Sequence, residues 1–257
     1  MKKLLWTLIF VFTVSGVCSA QSVIYFPQIA EGLQSSTVVW ASIIALTNTA
    51  AVGTATASGT ITFRQDNGSL LNLVLYDENE NRISTGSSVS FQIAGGQTKF
   101  FSTSTLVGAP TPTLVTGYAE VSSNSPLSGM VVFLEGSAQR VLGQATVFAA
   151  TPLTRQTIFA VHDSEDDTGI AVANPSATTT ANITFQLLDI NGVVLATGTR
   201  TLAARNHTAF FIRELFPNVT QSVIGTMRIT SDVGIVTLGL LFGDEGGFTT
   251  LPVFPLQ

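Results

Sequence analysis

Along most of this chain apolar and polar residues alternate with a period of two. In the segment Asn182 to Leu187, Ile183, Phe185 and Leu187 fall on one side, and Asn182, Thr184 and Gln186 on the other. That is the pattern of a strand with one face buried. Thr60 to Arg64, Ser88 to Ile93 and Thr226 to Thr230 read the same way. Two runs, Met130 to Leu134 and Gly234 to Phe242, are continuously apolar and predict central strands buried on both faces. Turn signals separate the strands at Asp66-Asn67-Gly68, Ala94-Gly95-Gly96, Ile190-Asn191-Gly192 and Asp244-Glu245-Gly246-Gly247. Only Phe211 to Pro217 reads as a helical turn, stopped by its proline. Many short strands with regular turns predict an all-β chain of sandwiches rather than α/β units.

The pattern occurs twice. Ile44-Ala45-Leu46-Thr47-Asn48 corresponds to Ile170-Ala171-Val172-Ala173-Asn174, and Thr98-Lys99-Phe100-Phe101 to Thr208-Ala209-Phe210-Phe211. Gly117-Tyr118-Ala119-Glu120-Val121 corresponds to Gly225-Thr226-Met227-Arg228-Ile229. Kept order and spacing predict two tandem Ig-like β-sandwich domains, 21–152 and 153–257, joined at Thr151-Pro152-Leu153-Thr154. The first copy is much longer between Gly68 and Ile93 than the second is between Gly192 and Leu202. The surplus, about 69–88, reads as an extra hairpin with a polar tip at Asp77 to Asn81. It is a candidate partner-binding insertion, or an extension of one sheet through Leu71, Leu73 and Leu75.

Residues 1–20 change the compartment. Lys2-Lys3, an apolar stretch from Leu4 to Val14 and the small residues of Cys18-Ser19-Ala20 form a secretory signal with cleavage expected after Ala20. The mature chain, beginning at Gln21, is then secreted or periplasmic. It has no cysteine, so neither a disulfide nor a thiolate site is expected. Residues after Ala20 offer no run of the roughly 18–20 apolar residues that a membrane-spanning helix needs. Charged residues make up 11% of the chain and formal net charge is −5, which excludes the cationic footprint of a nucleic-acid binder.

Candidate chemistry is sparse. Only His162 and His207 offer imidazole bases, and no Gly-x-Ser-x-Gly elbow, phosphate-cradling loop or His/Cys metal spacing accompanies them. His207, between a turn and a strand, reads as a surface or turn histidine. The acidic loop holding Asp163, Glu165, Asp166 and Asp167 is the candidate Ca²⁺ site, since crowded carboxylates favour a hard cation. It lacks the Asp-x-Asp-x-Asp-Gly spacing, and a solvated acidic loop is the simpler expectation. Of the aromatic residues, 17 are Phe, which belong to cores; the ring platforms available to a sugar are Trp40, Tyr76 and Tyr118.

One resemblance can be stated. Tyr25-Phe26-Pro27-Gln28-Ile29-Ala30-Glu31-Gly32, followed by Leu46-Thr47-Asn48, resembles a secreted tandem β-sandwich repeat family of environmental bacteria. Its repeats read Phe-Pro-x-Phe-Ala-Asp-Gly and then Leu-x-Asn-Pro-Ser. Ala173-Asn174-Pro175-Ser176 keeps the second motif, whereas Asn48-Thr49 lacks its proline; Glu214-Leu215-Phe216-Pro217 matches another element. The resemblance implies an exported β-sandwich and carries over no active site. The expectation is therefore a non-catalytic structural, adhesive or binding module of the cell exterior or periplasm, contacting protein or glycan. The rivals are a carbohydrate-binding module and, further off, a periplasmic pilus-type chaperone, whose basic cleft this acidic chain does not show.

Overall fold

The alternating stretches form strands that pair antiparallel. The computed structural model describes residues 21–103, 113–137, 140–243 and 246–256; the expected signal peptide, with Cys18, lies outside them. The first half contains β1 (Ser22–Leu33), β2 (Val39–Thr47), β3 (Ala57–Gln65), β4 (Leu73–Tyr76) and β5 (Arg82–Gly86). It continues with β6 (Ser88–Ile93), β7 (Thr98–Ser102), β8 (Val115–Ser123), β9 (Ser128–Ser137) and β10 (Arg140–Phe148). The second half contains β11 (Leu153–His162), β12 (Asp166–Ala173), β13 (Ala181–Asp189), β14 (Val194–Leu202) and β15 (His207–Phe211). It ends with one helical turn, α1 (Ile212–Leu215), then β16 (Val223–Gly243), β17 (Phe248–Leu251) and β18 (Val253–Pro255).

In the first half β1, β8, β3 and β6 form one sheet, and β5, β4, β7, β2, β9 and β10 the other. The end of β1 crosses between them by pairing with β2 at Gly32 and Trp40. The second half repeats this pairing by pairing. β11–β16 stands for β1–β8, β13–β14 for β3–β6, and β12–β15 for β2–β7. One long strand does the work of two: β16 pairs with β13 through Ser231 and with β11 as far as Ile235, then with β12 from Val236 onward. In the first half the same path is broken between β8 and β9. Ile183, Phe185 and Leu187 are buried in the second core, as their period required.

Shared sequence motifs have shared structural work. Asn48 and Asn174 follow β2 and β12 and are 1% and 0% exposed. The Asn48 amide donates to the carbonyls of Ala55 (2.8 Å) and Ile93 (2.9 Å); that of Asn174 donates to Thr179 (2.8 Å) and Leu202 (2.9 Å). Each side-chain oxygen accepts from the N–H two residues on, at 3.1 Å. Thus each asparagine ties its loop to the end of a strand in the facing sheet, satisfying buried polar groups. Gly117 and Gly225 match as well: a Cβ there would overlap the carbonyl oxygen of Arg64 or of Leu188 on the next strand.

The extra hairpin is β4–β5. Its leucines Leu71, Leu73 and Leu75 are at most 3% exposed and belong to the first core, while Tyr76 pairs with Ser102 and adds the hairpin to the edge of the β7 sheet. The first copy therefore uses the insertion for its core, because these leucines alternate inward at the edge of the sandwich. Gly234 to Phe242 lies in β16 and is largely buried on both faces, as read. Met130 to Leu134 lies in β9 and is not: Met130, Val132 and Leu134 keep one face partly open.

Candidate functional site

The two sandwiches meet along a seam, and the chemistry-bearing residues gather there. Alternation in the second half of β16 explains its continuous apolar run. Ile235 and Leu241 point into their own core, while Leu238, Leu240 and Phe242 join the core of the first sandwich. In β12, likewise, Ile170 and Val172 serve one core and Ala171 the other. Each fully buried Leu or Val removed from water stabilises by about 1.5–3 kcal/mol, so this second buried face ties the halves together.

A file of aromatic rings runs along the seam. Trp40 of β2 packs on Phe248 of β17 at 5.1 Å, Phe248 stacks on Phe242 at 5.6 Å, and Phe242 meets Phe211 edge-on at 5.2 Å. Arg213 of α1 lies 4.3 Å over Phe211 and donates from Nη1 to Asp167 Oδ2 at 2.5 Å. The indole N–H of Trp40 donates to Gln34 Oε1 at 2.6 Å. Beside this file is a cavity of about 290 Å³ lined from both halves, by Gln28, Trp40 and Phe133 on one side and Phe210, Leu238 and Phe242 on the other.

A polar node holds the other end of the seam. His207, the first residue of β15, has a fully buried side chain whose Nδ1 lies 2.8 Å from Asp66 Oδ1 in the turn after β3. Its backbone N–H donates to the Asp66 carbonyl at 3.0 Å. A carboxylate at Nδ1 fixes the tautomer with the proton there. The imidazole ring stacks on Tyr118 of β8, 6.5 Å away. The hydrogen bond from His207, helped by Thr116, holds the Asp66 carboxyl below its ordinary value of 3.8 against partial burial. Burial, seconded by the charge of Glu120, pushes the Tyr25 phenol up to about 12, and burial likewise pushes Tyr118 to about 12. Tyr118 Oη, His207 Nε2 and Arg64 Nε are buried without a hydrogen-bond partner among the described residues.

The expected site residues therefore part company. Tyr118 has no exposed surface and Trp40 only 9%, so neither is a surface platform; both are seam residues. Tyr76, partly exposed, stands at the edge of the β2–β9 sheet, away from both. The four carboxylates of the acidic loop are not gathered: among the described residues no three His, Cys, Asp or Glu side chains are placed to hold a metal ion. Asp163 Oδ1 accepts from the N–H groups of Glu165 and Asp166, both at 2.8 Å, and these bonds, Asp166's first, lower its carboxyl pKa. Asp167 turns the other way, between His162 Nδ1 at 3.2 Å and Arg213; burial outweighs the pull of these two partners and raises its carboxyl pKa.

His207 is a correction to the surface-histidine reading. Ala173 and Val236 lie in the same cross-strand row as His207, on the face that the first sandwich covers. Nothing local marks that row as covered, and the partner Asp66 lies 141 residues away in sequence. Both histidines are engaged by carboxylates, and the His207 ring is enclosed. Such groups can orient and stabilise the seam; an enclosed imidazole has no face for a substrate. Comparison with protein-family models and with curated proteins finds no match to this chain.

Proposed function

We propose that this chain is a non-catalytic structural or adhesive module of the bacterial exterior or periplasm, contacting protein or glycan there. The observation that carries the reading is the employment of its reactive side chains. His207, Asp66 and Tyr118 are built into the seam, and Asp167 is held between His162 and Arg213. The surface left to a partner is sheet face and strand edge, with aromatics such as Phe148, Phe159 and Phe254 at 77%, 43% and 56% exposure. Surfaces of that kind bind through area and strand pairing rather than through covalent chemistry. The tripartite N-terminus and the resemblance to secreted repeats support export.

The test has two arms. The intact mass of protein recovered from periplasm or medium should match a chain beginning at Gln21, and labelled protein should bind cells or extracted matrix. Retention of Met1 in the cytoplasm overturns the first part. Hydrolysis of an ester or glycoside that is lost with His207→Ala overturns the second.

A further inference from the structure

We propose that the chain assembles head to tail, the outer face of the β2–β9 sheet docking on the second sandwich of another copy. This contact would repeat between chains the seam that joins the two sandwiches within one. The proposal begins with register. Ile44 and Ala45 match Ile170 and Ala171, and the ladders put Ala45 beside Met130 and Phe100 as they put Ala171 beside Leu238 and Ala209. Phe148 extends the first row across β10. The next rows match in the same way, with Val132 standing where Leu240 stands.

These two faces are the same face of the same repeat, and their surroundings differ. Leu238 and Leu240 are 2% and 6% exposed because the first sandwich covers them. Met130 and Val132 are only partly covered, while Phe100 and Phe148 are 39% and 77% exposed. From β7 to β10 the rows of Ala45 and Ile43 hold no charged residue, and Arg82 enters the second row only at its far end on β5, so this part of the face is suited to an apolar seat rather than to water.

The complementary surface also recurs. In the seam the second sandwich rests on β1 and β8, where Ala30 pairs with Thr116. By register the corresponding pair in the second sandwich is Val161 with Ile224. There Val161 is 7% exposed, but Ile224 is 56% and Phe159, two residues before Val161 on β11, is 43%, so the second sandwich offers a partly open apolar seat where the first is covered. A donor face on one end and a seat on the other make a heterologous contact, which extends instead of closing on itself unless the rotation completes a ring. This assembly stands independently of export and of any outside ligand; a secreted monomer would end it and leave the function proposed above intact.

The experiment uses the mature chain, 21–257, and two variants altered only at exposed positions: Phe100→Lys with Phe148→Lys on the donor face, and Ile224→Lys on the seat. Mass is measured by sedimentation velocity over a range of concentrations, with circular-dichroism melts to verify folding. The parent should grow with concentration beyond dimer, and each variant alone should lose every species above monomer. Mixed, the two variants should give a capped one-to-one dimer, since each retains the surface that the other lacks. A parent that stays monomeric throughout overturns the proposal. So does a seat variant that still forms dimers by itself, which would mean face-to-face pairing, and so does a mixture that stays monomeric.

Discussion

The most instructive comparison is between β9 and the second half of β16. Both are central strands of corresponding sheets, both carry a run of apolar residues, and both sit beside a strand reading Ile-Ala. Yet Leu238 and Leu240 are interior while Met130 and Val132 are half open. The strands do not differ in periodicity or propensity. They differ in whether another sandwich lies on top. A repeat carries a face in its sequence, but the burial of that face depends on what its neighbour supplies.

The sharpest way to break the comparison is to charge both faces at matched positions. Leu238→Asp places a carboxylate in the seam and should cost at least about 3 kcal/mol. Met130→Asp, at the matching position, should cost no more than about 1 kcal/mol in dilute protein. Both are read from urea unfolding; equal costs would show that the two faces are equally buried.

Next come the paired asparagines. Asn174→Ala and Asn48→Ala each strand buried carbonyls and should each cost about 1–3 kcal/mol. Similar values are expected, because the bonding is the same in both copies. A cost confined to one copy would mean that only one sandwich depends on its loop staple.

Tyr118→Phe should act in the opposite direction. It removes a buried hydroxyl that has no partner among the described residues and leaves the ring on His207, so stability should hold or rise by up to about 1 kcal/mol. A loss above that would reveal a hydrogen bond to Oη. The smallest effect concerns acid. The Asp66 pKa is lower folded than unfolded, so its contribution is complete above its ordinary value of 3.8 and is lost as pH falls through the lower folded value. Asp66→Asn should therefore melt slightly below the parent at neutral pH, with the gap narrowing in acid; a gap that widens as pH drops contradicts the pairing with His207.

Much of this was legible in the sequence. Strict alternation at Ile183, Phe185 and Leu187 places a strand and its buried face without any structure. Order and spacing reveal the repeat, and the surplus between Gly68 and Ile93 reveals the extra hairpin. The hairpin's role was less plain: it reads as a partner-binding insertion or as an extension of one sheet, and nothing local shows that Leu71, Leu73 and Leu75 enter the core. The seam was not legible at all. Trp40, Tyr118 and His207 are brought together by residues far apart in the chain, and an amphipathic strand shows the same pattern whether its outer face meets water or another sandwich. The acidic loop shows the reverse: charges that crowd in sequence separate in space, Asp163 into its own turn and Asp167 toward Arg213.

The central claim is that the core of the first sandwich takes in one face of the second, so that the two related sandwiches behave as a unit. Trp40 tests it most directly, since it is the single tryptophan of residues 21–257 and packs in the seam against Phe248. Its fluorescence reports the seam, and far-ultraviolet circular dichroism reports the strands of both halves. Followed together through urea unfolding of residues 21–257, the two signals should trace coincident transitions with one midpoint. A Trp40 transition that finishes while the strand signal is still native would show that the seam opens first, and that the halves are two beads rather than one body.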